Sequence, residues 1–326
     1  MQTPSLVTSS GGPAELAEAA RLAEAAGFES VWATEFYDRS ATVALAAMAE
    51  ATSTIELGSA IAYAFGRTPV VLAAEARDID ELSRGRFTLG LGTGTRRMQQ
   101  DWHGLDGEHP AGRMEELVPL VRRLWRLHQG PVEHEGRFYR LDVKPTAPPR
   151  PPVREEIPIF MAGVNRRMIE AAGKVADGLV GHPLFTPEYV REVARPALDG
   201  VPIAGYITTS VSDDRDQARR DAAAIIAFNS TVKTYRAVHR VSGFEAQAEA
   251  IRDAWSRGDG EGMAAAVTDE MIDAIALAGT SDEVRSRFEE RWDGVYERPL
   301  LWPPAFRGAE GVKSVIDAFR RPELTR

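Results

Sequence analysis

From end to end, short apolar runs alternate with helix-like stretches, and few topologies accept that period. Residues 6–8 read as a first strand. Pro13 suits the first turn of a helix over 14–26, which Gly27 stops. Strands follow over 31–34, 55–61 and 86–92, with helices over 41–51 and 69–82 between them. A long excursion, 93–156, then carries one helix, in which Leu117, Leu120, Val121 and Leu124 fall at i, i+3, i+4 and i+7. A hairpin over 132–141 turns around Glu135-Gly136, and a proline-rich extended run occupies 145–152. The alternation then resumes, with strands over 157–162, 178–181 and 201–209 and helices over 166–176 and 187–197. Residues 213–271 are helical and longer than one barrel helix needs, so they hold a second insertion. Thr280-Ser281-Asp282-Glu283 has the capping-box pattern of a helix start. A last strand over 295–301 precedes a helix whose apolar face is Val312, Val315, Ile316 and Phe319. Right-handed crossovers close eight such units into an α/β fold, the TIM (β/α)8 barrel; an open doubly wound sheet is the alternative. The expected organisation is one domain over 1–326, with insertions at about 93–156 and 230–278.

The composition removes several classes of chemistry. There is no cysteine, hence no thiolate nucleophile, no cysteine-held cluster and no disulfide, which fits a reducing, cytoplasmic setting. Met1 to Ser5 lack the basic-then-apolar pattern of a signal peptide, and no 18-residue apolar run would span a membrane. A net charge of −9 argues against a nucleic-acid partner. The six histidines form no H-E-x-x-H pair or tight cluster, so no metal site is expected. A G-x-S-x-G elbow is absent, and the strand ends lack the second acid a glycosidase needs.

In a barrel of this kind the loops after the strands carry function. After strand four stands Gly92-Thr93-Gly94-Thr95; the dinucleotide fingerprint fails on spacing, but glycines there let backbone approach a flat ring or a phosphate. Ala162-Gly163-Val164 leads straight into a helix start, where free N–H groups suit an anion. Gly181-His182 follows strand six, and Glu35 follows strand two. Ser59-Ala60-Ile61-Ala62-Tyr63, small and apolar, ends strand three. Each motif also has a plainer reading: a tight turn, a capped rim, a salt bridge of Glu35 with Arg39 or another rim residue, or barrel core.

Taken in order along the chain, 27–35, 82–94, 162–164 and 176–182 resemble the luciferase-like oxidoreductases, and within them the branch that uses the deazaflavin coenzyme F420. The resemblance covers nearly the whole chain and implies a bacterial-luciferase-like barrel. It implies a non-proline cis peptide at Ala60-Ile61, pressing on the middle ring of the cofactor. It further implies that Gly92, Thr93 and Gly94 edge the ring, that Ala162, Gly163 and Val164 form a phosphate turn, and that Gly181 and His182 make a neighbouring contact. Glu35, His182 and Tyr63 are the candidate catalytic residues, with Trp102 and His103 as further polar or aromatic candidates. The sequence departs from the sugar-phosphate dehydrogenase branch at Phe36, Thr95 and Met98, which leaves that reaction without its expected groups. The implied activity is hydride transfer between F420 and a small organic substrate, by a barrel that pairs as a homodimer. Two alternatives stand beside it: an FMN-dependent monooxygenase and a barrel that binds the cofactor without turnover. An acidic deazaflavin tail would favour a basic exit, for which Arg96, Arg97, Arg166 and Arg167 are candidates. The excursion 93–156 stands where a lid would.

Overall fold

The computed structural model describes residues 2–147 and 149–321. Met1, residues 322–326 and Pro148 of the proline-rich run lie outside the described residues. Eight strands make the barrel: β1 Ser5–Thr8, β2 Ser30–Ala33, β3 Glu56–Ser59, β4 Phe87–Gly92, β5 Ile159–Ala162, β6 Gly178–Gly181, β7 Ile203–Val211 and β8 Arg298–Trp302. All pairings are parallel and follow chain order, and β8 returns to β1 to close the ring. Helices cover the outside, so the strands are apolar on both faces and lie almost wholly buried.

The core has two parts. Val7, Trp32, Phe160, Tyr206 and Leu300 fill the barrel interior, while a larger layer packs strands against helices. Trp32 is seated by Gly58, where an added Cβ would fall 2.4 Å from the indole.

Local signals explain most helix ends. Gly27 closes helix Pro13–Ala26 at φ 83°, a conformation glycine adopts without steric cost. Thr280 and Glu283 cap each other at the start of Ser281–Arg287, as the sequence pattern requires. Val312, Val315, Ile316 and Phe319 are all buried on helix Gly308–Phe319.

Three elements differ from the sequence reading. The excursion contains two helices, Arg96–His103 and Pro110–Trp125. The second packs between Pro69–Leu82 and Arg166–Val175 and so takes the fourth barrel-helix place. That leaves 96–109 and the hairpin Val132–Glu135/Arg140–Val143 as the added pieces. Helix Arg96–His103 escaped notice because it is short and mostly polar, with no apolar stripe. Ala276–Gly279, in a stretch whose Ala/Leu composition fits either state, is a strand beside the end of β7. Strand three stops at Ser59; the Ala60-Ile61 peptide is cis, and Ala62–Tyr63 then pairs with the end of β4. No helix among the described residues is long and apolar enough to cross a membrane.

Candidate active site

The carboxyl ends of β3, β4 and β5 are built around missing side chains. A Cβ on Gly90 would fall 1.7 Å from the Ser59 carbonyl oxygen, so only glycine permits this approach of β4 to β3. The Ser59 hydroxyl bridges the same two strands: it donates to Gly90 O and accepts from Gly90 N–H, both at 2.8 Å. One step further, a Cβ on Gly92 would lie 2.6 Å from Ile61 Cδ1 and 3.2 Å from Ala162 Cβ. The Tyr206 hydroxyl, on β7, reaches across the barrel and donates to Ala60 O. Backbone and small side chains thus form a closely packed floor, and Ile61, Gly92 and Ala162 face a slot above it.

The slot opens into a cavity of about 940 Å³. Its wall includes Ala60, Ile61, Gly92, Thr93, Gly94, Ala162, Gly163, Val164, Gly181 and His182, so residues picked from four separate strand ends meet at one surface. The turn after β5 is held from behind: the Tyr189 hydroxyl donates to Val164 O at 2.7 Å.

Two of the three candidate catalytic side chains reach this cavity. His182 packs its ring against Tyr235, centroids 4.1 Å apart, and its Nδ1 accepts the Leu184 N–H at 3.2 Å. Burial, with His239 nearby, pushes its pKa down to about 3. It is therefore neutral near pH 7, with the proton on Nε2 and available to a ligand. Tyr63 also lines the cavity, and burial, with Glu35 adding to it, raises its pKa. Its hydroxyl stays protonated and can donate.

Glu35 does not line the cavity. Its side chain is 8% exposed and pairs with Arg67 at 2.6 Å, while Oε2 also accepts the Tyr63 N–H at 2.7 Å. Arg67 in turn holds Glu75 at 2.6 Å. The partner of Glu35 is thus Arg67, while Arg39 pairs with Asp38. Both carboxylate oxygens are engaged in fixing the loop after β3. Trp102 packs on Phe36 and Tyr37 at the rim, and His103 lies edge-on to Tyr63; neither lines the cavity.

The outer wall comes from the excursion. Arg96 pairs with Glu108, and Arg167 with Glu115 at 2.8 Å. The expected Arg97 and Arg166 pair with Asp101 and Glu170 on their own helices and are not part of the wall. Arg137, unmarked in the sequence, lines it instead, over the ring of Phe138 and with no carboxylate partner among the described residues. Glu116 fixes this turn by accepting from Tyr139 N–H and His134 Nε2, each at 2.9 Å. Tyr206, Asn229, Tyr235 and Trp302 complete the inner wall from β7, β8 and the segment between them. Tyr206 carried one readable signal, as the lone aromatic residue of β7; the others gain meaning only from tertiary placement.

Fold and site together define a (β/α)8 barrel with a large cavity at the carboxyl ends of its strands. Comparison with known proteins agrees. The model of the luciferase-like monooxygenase family matches residues 1–297. A 5,10-methylenetetrahydromethanopterin reductase of Archaeoglobus fulgidus is 31% identical over 297 residues, covering 85% of each chain. An uncharacterised protein of Mycobacterium tuberculosis is 33% identical, over 94% of this chain and 95% of its own. The solved structure of the coenzyme F420-dependent tetrahydromethanopterin reductase of Methanopyrus kandleri superposes with a TM-score of 0.81, covering 97% of both chains at 23% identity. The chain belongs to the luciferase-like monooxygenase family.

Proposed function

We propose that this protein transfers a hydride between the deazaflavin F420 and a small organic substrate. The observation that carries the reading is the cavity at the strand ends: Gly92, Gly94, Ala162 and Gly163 give its wall backbone and small side chains, with Ile61 beside them. A planar ring fits such a space. Ala60, Ile61, Gly92, Thr93 and Gly94 would hold the ring, and Ala162, Gly163 and Val164 the phosphate, at the N–H groups opening helix Arg166–Val175. The bound cofactor supplies the hydride chemistry; the chain orients the reactants and excludes water.

Arg137, without a carboxylate partner, supports deazaflavin over FMN, because a cation at the cavity's outer edge suits an acidic tail running out of the barrel. The related enzymes named for methylenetetrahydromethanopterin and F420 point the same way. His182 Nε2–H and the Tyr63 hydroxyl are neutral donors at the cavity, placed to bind the heteroatom of a carbonyl or imine. With Glu35 committed to Arg67, these two are the acid–base candidates, and Glu35 takes a positioning part.

Titration of the apoprotein with F420 and with FMN, followed by tryptophan quenching, tests the cofactor. F420 is expected to bind more tightly; FMN binding without a response to F420 would overturn the choice. Stopped-flow mixing of reduced F420 with unsaturated carbonyls, ketones and imines then tests turnover. Absence of decay with every compound would leave a cofactor carrier.

A further inference from the structure

Helix Arg96–His103 stands directly after the glycine loop and carries two apolar residues, Met98 and Trp102, yet its one buried residue is the polar Gln99. It lines the cavity and is 1% exposed. Its backbone is fixed: Gln99 O accepts the N–H groups of Gly104 and, at 2.9 Å, of Leu105, which end the helix. Its side-chain Oε1 is enclosed and has no hydrogen-bond partner among the described residues. Turning the carboxamide over would place the donor there instead, so the site is short of a partner in either orientation. Burying an amide without a partner lowers stability, and an apolar side chain of similar size would avoid that loss. The neighbouring cavity residues Met98 and Met168 show that thioethers serve as wall elsewhere.

We propose that Gln99 recognises a cis-amide edge, an N–H beside a C=O, on the molecule that fills the cavity. A primary amide is the matching shape: its C=O accepts from the ligand N–H while its NH2 donates to the ligand C=O. A pyrimidinedione ring carries such an edge in deazaflavin and flavin alike, and a lactam or imide substrate would carry one too. The assignment rests on the cavity being a cofactor and substrate site, but not on which tricyclic ring occupies it.

The test compares the unaltered protein with Gln99→Leu. The probes are 5-deazariboflavin and riboflavin, each against its N3-methyl derivative, which lacks the N–H. If the edge belongs to the cofactor, the unaltered protein prefers the N–H form by about tenfold, and Gln99→Leu loses about tenfold for that form and treats both alike. If it belongs to the substrate, ring affinity is unchanged, and the cofactor-loaded protein prefers 2-pyridone to N-methyl-2-pyridone until Gln99 is replaced. In either case the apoprotein melts at the same temperature or higher after substitution, because an unpartnered buried amide has been removed. Discrimination unaffected by Gln99→Leu in both arms overturns the proposal, as does a lower apoprotein melting temperature with binding intact. Failure of the unaltered protein to bind either ring would refute the cofactor-site reading itself and this assignment with it.

Discussion

Two glycines two residues apart on β4 are predicted to fail in opposite ways. At Gly90 the obstacle to an added Cβ is backbone: the Ser59 carbonyl oxygen at 1.7 Å, about half a normal contact distance. Relief requires β3 and β4 to part, which also breaks the Ser59 hydroxyl bridge to both polar groups of Gly90. Overpacking of this kind costs about 3 kcal/mol, and two weakened buried hydrogen bonds add on the order of 1–2 kcal/mol. Gly90→Ala should therefore lower the melting temperature by roughly 5 °C or more. At Gly92 the nearest atoms are the ends of the Ile61 side chain, 2.6 and 2.8 Å away. That chain can swing by about 1 Å, and the space beside it is the slot. Gly92→Ala should therefore cost about 1 kcal/mol or less of stability while weakening cofactor binding by about tenfold. Differential scanning calorimetry of the apoproteins and a fluorescence titration measure the two quantities separately. The reasoning fails if Gly90→Ala melts with the unaltered protein, or if Gly92→Ala binds cofactor undiminished.

Buried neutral histidines make the fold acid-sensitive. His182 and His239 are held at about 3 and about 4, in each case chiefly by burial, below an ordinary value of about 6.5. Below about pH 6.5 the unfolded chain takes up these protons first, so stability should fall with falling pH, by up to about 1.4 kcal/mol per unit per group, until the folded values are reached. Urea melts from pH 7 to 4 check this, and His182→Asn should flatten the decline; an unchanged slope would show that His182 titrates normally. Replacing Glu35 with Gln leaves the buried Arg67 with Glu75 alone and should cost about 2–3 kcal/mol. A fully stable but inactive Glu35→Gln variant would return Glu35 to a chemical role. Arg137→Glu should weaken F420 roughly five- to tenfold at low salt and leave FMN untouched; equal losses for both would remove the tail contact. Val43, Val70 and Val71 are exposed on the adjacent helices Ala41–Ala51 and Pro69–Leu82, a face suited to a second copy of this chain. Light scattering should find a dimer that Val43→Glu with Val71→Glu dissociates; a monomer before substitution refutes that pairing.

Sequence by itself determined the barrel, because each unit carried its own punctuation. Gly27 stops a helix, Thr280 and Glu283 start one, and Val312 to Phe319 mark a buried face, all through interactions within a few residues. The small residues at the strand ends were legible for the same reason, and the cis bond at Ala60-Ile61 stands where the family resemblance put it. Tertiary structure alone decided which polar groups are free. Glu35 looked available until Arg67, 32 residues on, was found to occupy it. Arg96, Arg97, Arg166 and Arg167 proved paired with carboxylates, while Arg137 has none among the described residues. Gln99, one polar residue in a mostly polar helix, acquires significance only through enclosure. Periodicity records which side of a helix or strand is covered; it does not record what lies across the barrel, and a side chain's charge state and availability depend on that neighbour.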